Sequence, residues 1–169
     1  MTCSCIRLER IPTATPVLIQ PTITQSTQTL APTNTPDYGW EDVNYLMESV
    51  CFEAAMTVAG QVFKISDANA LQAFYTQLDR NQTCEDPISR VAYPFNNGES
   101  IVGLWSEGMG CTARHEIQHV QRDDTQRQET IQLQFVTEGD CPYELLQPFW
   151  IAVPQSTGYN IQIEVQPAR

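Results

Sequence analysis

Thr112-Ala113-Arg114-His115-Glu116-Ile117-Gln118-His119-Val120-Gln121 admits two secondary structures, and the choice between them decides both fold and chemistry. Within it, His115-Glu116-Ile117-Gln118-His119 has the HExxH spacing of zinc peptidases. On a helix, histidines four apart stand one turn apart on a single face and share an ion, with Glu116 placed as general base. On a strand, positions four apart are separated by about 13 Å, at roughly 3.3 Å per residue, and Glu116 points to the opposite sheet face. Thr112, Ala113 and Val120 suit the longer peptidase signature, whereas Gln121 is polar where that signature is usually apolar.

Three features favour the strand. With Cys111 facing Cys141, an antiparallel register sets Ile117 opposite Phe135 and His119 opposite Leu133, so apolar residues of both segments share a face. Residues 122–129 include Asp123, Asp124 and other polar side chains, which reads as a solvated hairpin loop. A zinc peptidase also needs a third ligand. The chain has 2 histidines, and Glu138 and Glu144 lie in Gly- and Pro-punctuated sequence without a helical pattern. The expectation is therefore a strand with no metal and no catalytic role, both rings lying on the face of Ile117, Ile131, Leu133 and Phe135. A metal site of His115 and His119, with Glu116 as base, is the alternative.

The period of 2 that this implies continues on both sides. After Cys84, residues 88–93, 101–105, 112–121, 130–137, 149–153 and 159–165 alternate or run apolar between Gly, Pro, Asn and Asp punctuation, and are predicted strands. In the last, Tyr159, Ile161, Ile163 and Val165 face one way. Before Cys84 the period is 3.6. Val43, Leu46, Met47, Val50, Cys51, Ala54 and Val58 predict a helix over 42–59 ending at Gly60. Residues 62–65 predict a short strand, and Ser66 caps a helix whose apolar face is Ala70, Leu71, Phe74 and Leu78. The expected fold is α+β, with two N-terminal helices packed on a mainly antiparallel sheet or sandwich of about six strands.

Upstream the composition changes. Residues 11–36 contain eight Thr and five Pro and no charge. Such a segment cannot bury apolar surface, and residues 1–36 are read as a flexible tether ahead of one globular domain over 37–169. The formal charge of −11, with Lys64 the sole lysine, argues against nucleic acid and anionic membrane as partners. Cys51, Cys84, Cys111 and Cys141 form no CxxC pair, and an even number of them behind a Thr/Pro stalk implies two disulfides in an oxidising compartment. The hairpin register pairs Cys111 with Cys141, leaving Cys51 for Cys84. No apolar stretch reaches the roughly 18 residues that span a bilayer, and no secretory hydrophobic region precedes the tether, so export requires a signal upstream of Met1. Cys3 or Cys5 before a polar tether would then be the site of an N-terminal lipid.

Lesser constellations carry less chemistry. Gly108-Met109-Gly110 lacks the strand-to-helix setting of a phosphate loop and reads as a bulge or turn at a sheet edge. Ser106, Ser156 and Cys111 have no companion motif for nucleophilic catalysis. Trp105, Phe149 and Trp150 read as core. Asn81-Gln82-Thr83 is a glycosylation sequon.

Taken together, the helix near Ser66-Asp67, the strand into the Gly108-Met109-Gly110 turn, the long hairpin, Pro148-Phe149-Trp150-Ile151-Ala152-Val153-Pro154 and the final alternating strand resemble the C-terminal domain of PrcB-like bacterial lipoproteins over residues 62–166. Where that family tends to have Gly-Gly-Tyr, this chain has Gly108-Met109-Gly110-Cys111, and its cysteines are additions. The resemblance implies a stabiliser or partner of a surface protease. The expected function is thus an extracytoplasmic, non-catalytic protein-binding or accessory domain on a stalk, its partner a surface protease or envelope complex. The rivals are a small zinc peptidase and a structural subunit of an envelope complex.

Overall fold

A computed structural model describes residues 39–96 and 98–167. The expected tether and Cys3 and Cys5 lie outside the described residues. Among the described residues, seven strands and two α-helices follow in the order β1 (Glu41–Asp42), a 3-10 turn (Asn44–Met47), α1 (Phe52–Met56), β2 (Phe63–Ile65), α2 (Ala68–Asp79), β3 (Ser100–Met109), β4 (Thr112–Asp123), β5 (Gln128–Glu138), β6 (Glu144–Val153) and β7 (Asn160–Pro167). The strands form two sheets, β1-β6-β3-β2 and β4-β5-β7. Every pairing is antiparallel except β5 with β7, which is parallel. The fold is mixed and strand-rich.

Three layers result, because the first sheet is covered on both faces. Along β3, Ile101 and Trp105 point to the helical side while Val102 and Leu104 point to the second sheet, so Ser100 through Ser106 are all buried. This is why 101–105 and 149–153 read as unbroken apolar runs and 130–137 alternates, since the second sheet is covered on one face only. On the helical side, Phe74 of α2 packs on Trp105 and Trp150, with ring centroids 6.2 and 5.3 Å away. Burying each such side chain contributes on the order of 1.5–3 kcal/mol. Between the sheets, Val102, Leu104, Phe149 and Ile151 meet Val120, Ile131, Leu133 and Ile161. Trp105, Phe149 and Trp150 are core residues, as expected.

Two expected elements are replaced. The helix over 42–59 is broken into β1, the 3-10 turn and α1, although its apolar positions Val43, Leu46, Met47, Ala54 and Val58 are buried. Tertiary partners take the backbone instead. The N–H of Val43 donates to the Trp150 carbonyl at 3.0 Å, Asn44 Oδ1 accepts from Trp150 N–H at 2.8 Å, and the Tyr75 hydroxyl donates to the Leu46 carbonyl at 2.9 Å. Cys51, at φ −69° and ψ 160°, is extended and opens α1. Residues 88–93 are irregular, anchored by the Ile88 N–H on Asp79 Oδ1 at 3.1 Å and by burial of Ile88 and Tyr93. The cap of α2 is Asp67, not Ser66: its Oδ1 accepts from the Ala70 N–H at 2.8 Å.

Both disulfides have the expected partners, Cys51 with Cys84 and Cys111 with Cys141, at Cα separations of 5.6 and 4.8 Å. The first ties the chain before α1 to the loop after α2. The second closes the end of the molecule where β3 turns into β4 and β5 leads to β6.

Candidate functional site

The HExxH segment lies within β4, a strand. Its register differs from the expected one. His115 is opposite Phe135 and Ile117 opposite Leu133, and a bulge at Gln118 then sets His119 opposite Gln132 and Val120 opposite Ile131. An extra residue reverses the side-chain alternation beyond it. His115 therefore faces the first sheet while His119 is exposed on the outer face, which corrects the expectation that both rings share the Ile117 face. Glu116 is also outside, paired with Arg114, whose guanidinium reaches Glu138 as well. Among the described residues, no group of three or more His, Cys, Asp or Glu side chains could hold a metal.

The bulge has a structural purpose that the loop reading of 122–129 missed. Beyond Gln118, Arg122 turns inward directly opposite Glu129. Their side chains are 10% and 2% exposed, and Nη2 of Arg122 lies 2.6 Å from Glu129 Oε2. Nη2 also donates to the Pro154 carbonyl at 3.1 Å, and the guanidinium lies 4.7 Å from the Tyr159 ring centroid. Lys64 Nζ donates to the Tyr159 carbonyl at 2.5 Å. Strands occupy Arg122, Asp123, Gln128 and Glu129, and the solvated turn shrinks to 124–127. The cluster closes one end of the sandwich.

At the other end, His115 Nε2 and Ser106 Oγ are 2.9 Å apart, a hydrogen bond between the two sheets. The imidazole lies 5.2 Å from the Phe135 ring and 5.5 Å from that of Phe149. Burial lowers its pKa to about 4, so it is neutral near pH 7. A serine hydroxyl on a histidine has the contact of a nucleophile with a base. Here the bond joins β4 of one sheet to β3 of the other, and burial keeps the ring neutral. The pair is a clasp between the sheets.

Ser106 lines a cleft of about 420 Å³ on the flank of the sandwich, with apolar walls. Val62 forms one rim, Leu104 and Phe135 the floor, and Ile163 and Val165 of β7 the other rim, with Glu107 at the end. It exists because β2 spans 3 residues whereas β7, in the facing sheet, spans 8. Val62 and Val165 are 44% and 37% exposed. A smaller cleft of about 260 Å³, lined by Trp40, His115, Ile117 and Pro148, lies on the opposite flank. The depression of about 510 Å³ at Cys84, Glu85 and Asp86 is framed by polar residues, and its Asp79 is already bonded to Arg90. The sequon residue Asn81 is exposed beside it.

Sequence reasoning named the β7 alternation that builds one wall of the flank cleft but missed the cleft itself, because the shortness of β2 opposite β7 is a property of two distant segments. Comparison of the chain with protein-family models, with curated proteins and with solved structures gives no match.

Proposed function

We propose that this chain is an extracytoplasmic, non-catalytic domain that binds another protein, presented on its Thr/Pro-rich N-terminal segment. The observation that carries this reading is the flank cleft, where Val62 and Val165 remain 44% and 37% exposed beside Leu104 and Phe135. Apolar side chains left accessible in a concave, preformed surface are what a protein partner covers. The two disulfides support an oxidising compartment. The PrcB-like resemblance of residues 62–166 supports a surface protease or envelope complex as partner, with an N-terminal lipid on Cys3 or Cys5 as the anchor. Against the zinc-peptidase alternative stands the strand geometry of His115 and His119, whose rings lie on opposite faces of β4.

Cross-linking of the full chain on intact cells, followed by mass spectrometry, is expected to recover one protein in constant ratio. Recovery of only abundant bystanders would remove the binding reading. One zinc per chain, lost in both His115→Ala and His119→Ala, would install the peptidase in its place.

A further inference from the structure

The edge of the second sheet beside the cleft narrows the kind of partner. Among the described residues β7 pairs with β5 on one side only, so the peptide groups along its other edge are a template for an added strand. The sheet's opposite edge, β4, is a poorer template: a bulge at Gln118 interrupts it, and Arg114 and Glu116 project beside it. In β7 the register with β5 runs without a shift from Asn160 to Pro167, and Glu164 is its one charged residue. An antiparallel strand laid along β7 would extend the sheet across the open flank. Its alternate side chains would enter the cleft against Leu104, Phe135, Ile163 and Val165.

Charge selects among such strands. Acidic residues outnumber Lys and Arg by 20 to 9. Glu107 is exposed at the end of the cleft, and Glu164 is exposed on the outer face of β7, where the outward side chains of an added strand would be its cross-strand neighbours. Lys64 is held at the start of β7 by the Ser156 and Tyr159 carbonyls, whereas beside Glu107 and Glu164 cations fit and acidic side chains are repelled. Resting on the protein-binding reading above, we propose that the β7 edge and its cleft bind an extended segment of another protein in which apolar residues alternate with Lys or Arg.

The probe is an end-blocked, fluorescein-labelled peptide of alternating Val and Lys, titrated against the full chain by anisotropy. Saturable binding is expected, weakened about tenfold or more by Val165→Asp and by N-methylation of alternate peptide amides, and weakened further by salt. Because Val165 is 37% exposed, Val165→Asp is expected to keep the melting temperature within a few degrees. Equal binding of a peptide with the same residues in two separate runs, or of an alternating Val/Glu peptide, would overturn the proposal. So would affinity that ignores Val165→Asp. Concentration-dependent dimerisation abolished by Val165→Asp would assign the cleft to a second copy instead. If the cross-linked cellular partner is retained in full by Val165→Asp, the cleft is the wrong surface while the protein-binding function stands.

Discussion

His115 and His119 are four residues apart and have opposite fates, because one bulge lies between them. Burial holds the His115 pKa at about 4, below the usual 6.5 of an imidazole. Between those values the unfolded chain binds more protons than the folded one, so folding stability falls as pH drops from about 6.5 to about 4 and is flat with respect to this group above that window. The ring's partial exposure limits the effect to on the order of 1–2 kcal/mol. Urea titrations across pH 4–7 are expected to show this slope in the wild type and its loss in His115→Gln, with His119→Ala within about 0.5 kcal/mol of wild type. An unchanged slope in His115→Gln would place the proton elsewhere. Arg122 and Glu129 carry the larger single-residue effect. Arg122→Met leaves Glu129, 2% exposed, without its hydrogen-bonded partner and is expected to destabilise by about 3–5 kcal/mol. Arg122→Met combined with Glu129→Leu is expected to recover most of that loss, and a double variant as unstable as the single one would contradict it.

At the scale of the element, close approach decides more than propensity. Gly103 of β3 lies opposite Trp150 of β6, and a Cβ there would enter the indole ring and meet the Phe149 carbonyl. Since that backbone cannot yield without moving the sheet, Gly103→Ala is expected to cost several kcal/mol, on the order of 3 or more, although alanine is no worse in a strand by propensity. Thermal unfolding measures it, and a loss under about 1 kcal/mol would show that β6 can shift. The same reasoning explains where the 3.6 period over 42–59 misled. The apolar face was legible and is buried, but the peptide groups between its members bond to Trp150 and to α2, so one helix becomes three short pieces. In α2 no outside group competes for the backbone, and the predicted helix forms with its predicted face, Leu71, Phe74 and Leu78, buried.

Over the whole molecule, the disulfides bracket the three layers. Each closes a loop of about 30 residues, so each is expected to stabilise by about 3–4 kcal/mol in the chain-entropy account, measured by denaturation of Cys51→Ala/Cys84→Ala and Cys111→Ala/Cys141→Ala. A loss below about 1 kcal/mol from either pair would mean that the unfolded chain is already constrained there. The even cysteine count that implies two disulfides, the strand character of 112–121, the helix α2 and the apolar face of β7 were readable from local pattern. They were readable because the 2.0 and 3.6 periods and the even cysteine count reflect local geometry and chemistry. What no local pattern contains is the partner across space. The parallel placement of β7 beside β5, the bulge that buries Arg122 on Glu129, the neutral His115 against Ser106 and the open flank beside β7 each depend on segments far apart in the chain. They were decided by packing, because which face a side chain uses and whether a strand edge is covered follow from what the rest of the fold brings next to it.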